Sequence, residues 1–121
     1  MSVRLYSILV DSSDPRALAR WWAEALNWEV THEADDEVDV AAGRGPDGKE
    51  LEPILTFLPV PEKKTIKNRI HIDLAPDDRD AEVERLLALG ATRADVGQGD
   101  DVTWVVLADP EGNEFCVLSA R

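Results

Sequence analysis

Cysteine is nearly absent: Cys116 is the only one in 121 residues. A single thiol excludes an internal disulfide and any zinc site built on four cysteines. Histidine is almost as scarce, with only His32 and His71, which leaves little material for a histidine-rich metal centre. No apolar run approaches the roughly 20 residues that a bilayer-spanning helix needs. The opening Met1-Ser2-Val3-Arg4-Leu5 lacks the long apolar core of a signal peptide, so a cytoplasmic protein is expected. Basic residues are few: 13 Lys and Arg face 25 Asp and Glu, a formal net charge of −12. Nucleic acid and anionic membrane are therefore not expected partners, because phosphate binding requires a basic surface. The sequence contains no phosphate loop, nucleophile elbow or Ser–His–acid arrangement.

What is present suits a folded domain. Hydrophobic residues make up 44% and charged residues 31%, and the length fits one domain or two half-size modules. Residues 3–10 read as a strand. Asp14 before Pro15 is an N-cap with proline at the first helical position, and the helix runs to about Leu26. Leu18, Trp21, Trp22, Ala25 and Leu26 form its apolar face. Strands are predicted at 28–33, 36–42 and 53–60, with a turn-rich loop from Gly43 to Gly48. The second half repeats the plan: a strand at 69–75, a helix capped by Asp77 or Asp78 and ended by Gly90, and strands at 92–96, 102–108 and 114–119. Its predicted apolar stripe is Ala81, Val83, Leu86, Leu87 and Leu89.

The order is therefore β-α-β-β-β, twice. A shift of 64 positions lays Ser7 over His71, Asp14 over Asp78 and Ala17 over Ala81. The same shift lays Pro46, Gly48 and Glu50 over Pro110, Gly112 and Glu114. Both helices and both turns stay in register, which points to an internal duplication. Module one is expected at about 1–62 and module two at about 68–121, in a single α+β domain.

Three stretches carry a resemblance to the vicinal oxygen chelate superfamily, the glyoxalase, bleomycin-resistance and dioxygenase fold. They are Ser7 to Trp28, with its Trp21-Trp22 pair; Asn68-Arg69-Ile70-His71-Ile72-Asp73-Leu74; and Asp109-Pro110-Glu111-Gly112-Asn113-Glu114-Phe115-Cys116. The resemblance covers nearly the whole chain and is closest to the glyoxalase-like subgroup. It implies tandem βαβββ modules forming a curved mixed sheet around a cleft, and a homodimer. It also implies a divalent metal that chelates two neighbouring substrate oxygens and stabilises an enolate as a Lewis acid.

In the metal-dependent members, ligands lie on the first and last strands of each module. The first-strand positions here are Ser7 and His71; only the imidazole is a good ligand. The last-strand position of module two falls on Cys116, with Glu114 on the same face by strand alternation. The matching position of module one is Glu52 by the 64-residue shift, or Thr56 if the strand ends at Val60. The cofactor is thus open: His71, Cys116 and Glu52 are weak metal candidates, and a metal-free pocket is favoured. Ser7, His71, Trp104, Val106, Glu114 and Cys116 are expected to line the cleft, where Trp104 would stack on a flat ligand. Acid–base work would fall to His71, with Asp73 on the same strand face and no clearly paired second group. The favoured function is a small-molecule-binding protein with a degenerate metal site. A metal-dependent lyase or isomerase is the alternative, and an accessory subunit without a small-molecule site is a third.

Overall fold

The computed structural model describes residues 2–99 and 102–121. Two compact units divide the chain, Met1–Lys63 and Lys64–Arg121. Each holds one βαβββ module and one four-stranded mixed sheet. The sequence reading of an α+β fold with two βαβββ modules is what the structure shows; the β structure is two open sheets, one per module.

The first unit contains β1 (Ser7–Ser12), α1 (Pro15–Leu26), β2 (Glu29–Glu33), β3 (Val38–Ala41) and β4 (Ile54–Pro59). Asp14 caps α1 by accepting from the Ala17 amide at 3.3 Å, satisfying a donor that the first turn leaves without a helical partner. At the other end Asn27 takes the left-handed conformation, and the Trp28 amide donates back to the Ala23 carbonyl at 2.8 Å. Leu18, Trp21, Trp22 and Ala25 are buried as their helical spacing predicts. The Trp21 and Trp22 rings meet edge to face, 5.1 Å between centroids. The strand order is β1-β4-β3-β2, with β1 parallel to β4 and the other pairs antiparallel. Val38 and Val40 lie opposite Phe57 and Leu55 and share one sheet face with them. All four are buried, and with the α1 stripe they form this unit's core.

The second unit contains β5 (Ile72–Leu74), α2 (Arg79–Ala88), β6 (Thr92–Arg93), β7 (Val105–Ala108) and β8 (Glu114–Val117). Its order, β5-β8-β7-β6, reproduces that of the first sheet. Asp78, not Asp77, is the cap, accepting from Ala81 at 3.2 Å. Asp14 and Ala17 make the same contact 64 positions earlier, so the duplication holds at atomic detail. Gly90 follows α2 at φ 114°, a conformation that favours glycine at a helix end. Of the predicted α2 stripe only Val83 and Leu86 are buried, and Ala81 is exposed.

Several strands are shorter than the sequence suggested. Residues 3–6 precede β1, His71 precedes β5, β6 is two residues long, and Trp104 sits in a bend before β7. β-propensity continued past the point where a neighbouring strand was there to pair with.

Candidate functional site

The second sheet has one face toward its apolar core and one carrying polar groups. Leu107 and Phe115 lie opposite each other and belong to the core face. On the other face Cys116 lies between Val106 of β7 and Asp73 of β5. Alternation carries this face backwards along β5 to His71 and along β7 to Trp104.

A cavity of about 760 Å³ opens over this face. Its walls include His71, Asp73, Trp104, Cys116 and Arg121, closed on one side by Val96–Gln98. The loop wall is internally braced. The Gln98 side chain accepts from the Val96 amide at 2.9 Å and donates to the Ala94 carbonyl at 3.3 Å. Asp95 accepts from the Gly97 amide at 2.8 Å. Trp104 is 39% exposed, so the indole keeps surface available to a partner. The His71 Nε2 atom is buried and has no hydrogen-bond partner.

Cys116 is itself buried, and burial pushes its thiol up from the ordinary range. The Asp73 carboxylate pushes in the same direction, by its charge and by accepting a hydrogen bond from the thiol, while Lys67 opposes them. The sulfur is therefore held as the neutral thiol, the poorer metal ligand and poorer nucleophile.

Val106 faces Cys116 across the ladder and is buried. Glu114 is on the Cys116 side of β8, but its carboxylate turns to Lys64 Nζ at 2.7 Å and the Asn68 amide at 3.1 Å. Ser7 belongs to the first unit, where its hydroxyl pairs with that of Thr56 at 2.7 Å. Glu52 is bound to Arg4 at 2.6 Å.

Strand register decides between Glu52 and Thr56. Leu9 lies opposite Thr56 as Asp73 lies opposite Cys116, so Thr56 is the counterpart of Cys116. The shift of 64 that relates the first strands falls to 60 at the last ones, because the first module has a longer stretch between Gly48 and Ile54 than the second has between Gly112 and Glu114. Sequence reasoning passed over Asp39, opposite Thr56 on β3, which is buried with Oδ1 lacking a hydrogen-bond partner. Its signal was faint: one acid between Val38 and Val40 in a strand buried on both sides.

Taken by itself, neither unit presents a donor set that fits a catalytic divalent metal. Among the described residues no group of three or more His, Cys, Asp or Glu is placed to hold one. Ser7 and Thr56 are neutral hydroxyls bonded to each other, Cys116 is protonated against Asp73, and Glu114 is already paired with Lys64. Hard cations require several anionic oxygens, and zinc prefers thiolate or imidazole.

Repeated βαβββ modules, each with a parallel pair of first and last strands, define the vicinal oxygen chelate architecture. The chain belongs to the glyoxalase-like domain family, whose model matches residues 7–118. No curated protein sequence matches it significantly. Solved structures similar in fold include the oxidase ChaP-H2, at 23% identity and a TM-score of 0.67, covering 100% of this chain and 96% of that one. Glyoxalase I of Leishmania major, described as trypanothione-dependent, matches at 18% identity and a TM-score of 0.65, covering 98% and 87%. A bleomycin-binding protein from Streptomyces verticillus, solved with copper(II)-bleomycin, matches at 15% identity and a TM-score of 0.62, covering 100% and 99%. An oxidase, a glyoxalase and a drug-binding protein on one fold mean that architecture alone selects no activity.

Proposed function

We propose that the protein binds a flat small molecule in the cavity of the second unit, without a resident divalent metal. The observation that carries this reading is the half-exposed Trp104 indole in the wall of a cavity of about 760 Å³. That size lies within the range of about 300–1,000 Å³ common for small-molecule sites. The fold similarity to a bleomycin-binding protein supports it, as does a donor set unsuited to a metal. Titrating a panel of planar aromatic compounds, bleomycin included, with tryptophan emission as the readout, tests the reading. At least one compound should quench saturably, and Trp104→Ala should weaken it about tenfold. Saturation that Trp104→Ala leaves unchanged, no saturation by any compound, or stoichiometric zinc, nickel or manganese in the purified protein would overturn it.

The same reading takes the protein as a cytoplasmic homodimer with no nucleic-acid or membrane partner. The net charge of −12 supports the last point. Among the described residues no helix is long and apolar enough to cross a membrane. Exposed Val3, Leu5, Tyr6 and Leu9, on and just before the edge strand β1, support a self-association surface.

A further inference from the structure

We infer that the ligand is a planar aromatic zwitterion, a ring bearing both an ammonium and a carboxylate group; this deepens, and rests on, the reading of the cavity as a binding site. Among the described residues the cavity is lined by one acidic and one basic residue, Asp73 and Arg121, together with Trp104. Among the described residues neither charge is held in an ion pair. Asp73 lies opposite Cys116 on the adjoining strand, where its charge raises the thiol's pKa, and Lys67 acts on that thiol in the other direction. The Gln98 amide is committed to its own loop, so among the described lining residues the charged or imidazole side chains left for a ligand are those of Asp73, Arg121 and His71.

A flat ligand seated on Trp104 strips water from these groups. An uncharged ligand leaves both charges without compensation, a cation leaves Arg121, and an anion leaves Asp73. An unpaired polar group in a desolvated site costs more than a made hydrogen bond contributes, so each of these ligands is discriminated against. A molecule carrying both charges satisfies both wall residues, and its planar body stacks on the indole. The buried Nε2 of His71 adds a third polar contact, as donor or acceptor according to which ring nitrogen carries the proton.

Three probes that share one ring separate the possibilities: L-tryptophan, tryptamine and indole-3-acetate, titrated calorimetrically into the purified protein. L-tryptophan should bind about tenfold more tightly than either single-charge probe. Asp73→Asn should erase its margin over indole-3-acetate, and Arg121→Gln its margin over tryptamine. Asp73 and Arg121 are exposed, so both variants should keep the wild-type circular dichroism spectrum. Equal affinity for the three probes, or tightest binding of a single-charge probe, would overturn the zwitterion assignment. If Trp104→Ala still weakens all three, the binding-site reading survives that result. Failure of these probes while a compound of the wider panel binds through Trp104 again overturns the zwitterion assignment alone. Failure of both sets overturns the two together.

Discussion

Glu114 shows how one neighbour changes what a carboxylate can do. Burial alone disfavours its charged form, but the Lys64 ammonium and the Asn68 amide outweigh that and hold its carboxyl below the usual range. The folded chain thus binds this proton more weakly than the unfolded chain, and the ionised pair stabilises the fold at neutral pH. That contribution is complete above the unfolded pKa and is lost as pH falls through the depressed folded value. Glu114→Gln should therefore cost about 2 kcal/mol near neutrality, where a charged hydrogen-bonding partner is lost. The difference from wild type should narrow on acidification. Urea unfolding of both proteins at about pH 7 and about pH 4 checks this, and an unchanged difference would show that the pair is not the source. Cys116 is the opposite case. Burial and Asp73 raise its pKa, so it acts as a hydrogen-bond donor in the cavity wall.

Among the elements, the turn from Asp109 to Asn113 bears on the site because it leads into β8 and with it Cys116. Asp109 is buried, and its carboxylate accepts from the amides of Glu111 at 2.9 Å and Asn113 at 3.0 Å and from the Asn113 side chain. Gly112 lies at φ 87°, which a side chain at that position would oppose. The backbone closes the turn with the Asp109 amide donating to the Asn113 carbonyl at 2.9 Å. Asp109→Ala leaves several donors without a partner and should cost about 2–3 kcal/mol. Asp109→Asn keeps one acceptor oxygen and should cost less. Thermal unfolding of the two variants ranks them, and equal losses would mean that the carboxylate does not organise the turn.

At the scale of the whole molecule the proposed dimer is the open quantity. Val3 is 85% exposed and Leu5 64%, and Leu9 on the adjoining edge strand is 57% exposed. Apolar surface gathered on and before an edge strand favours association. Sedimentation at micromolar concentration should give twice the 13.4 kDa chain mass, and Leu5→Glu with Leu9→Lys should return it to one chain. A single-chain mass for wild type would defeat the proposal.

The sequence by itself determined the plan of the molecule. Helix caps, the α1 stripe, the proline and glycine turns and the 64-residue repeat are local signals, and local chemistry sufficed to place both helices and the order of strands. Tertiary structure decided which side chains share a surface. Register set Thr56, not Glu52, against β1, because hydrogen-bonded pairing between distant strands fixes facing and sequence spacing does not. The partners of Glu114 lie 46 and 50 positions away, so its occupation by Lys64 and Asn68 left no trace in the local pattern. The braced Val96–Gln98 loop and Arg121 join the cavity for the same reason. They reach it through the folding of the second unit, and nothing in their own neighbourhoods marks them as walls.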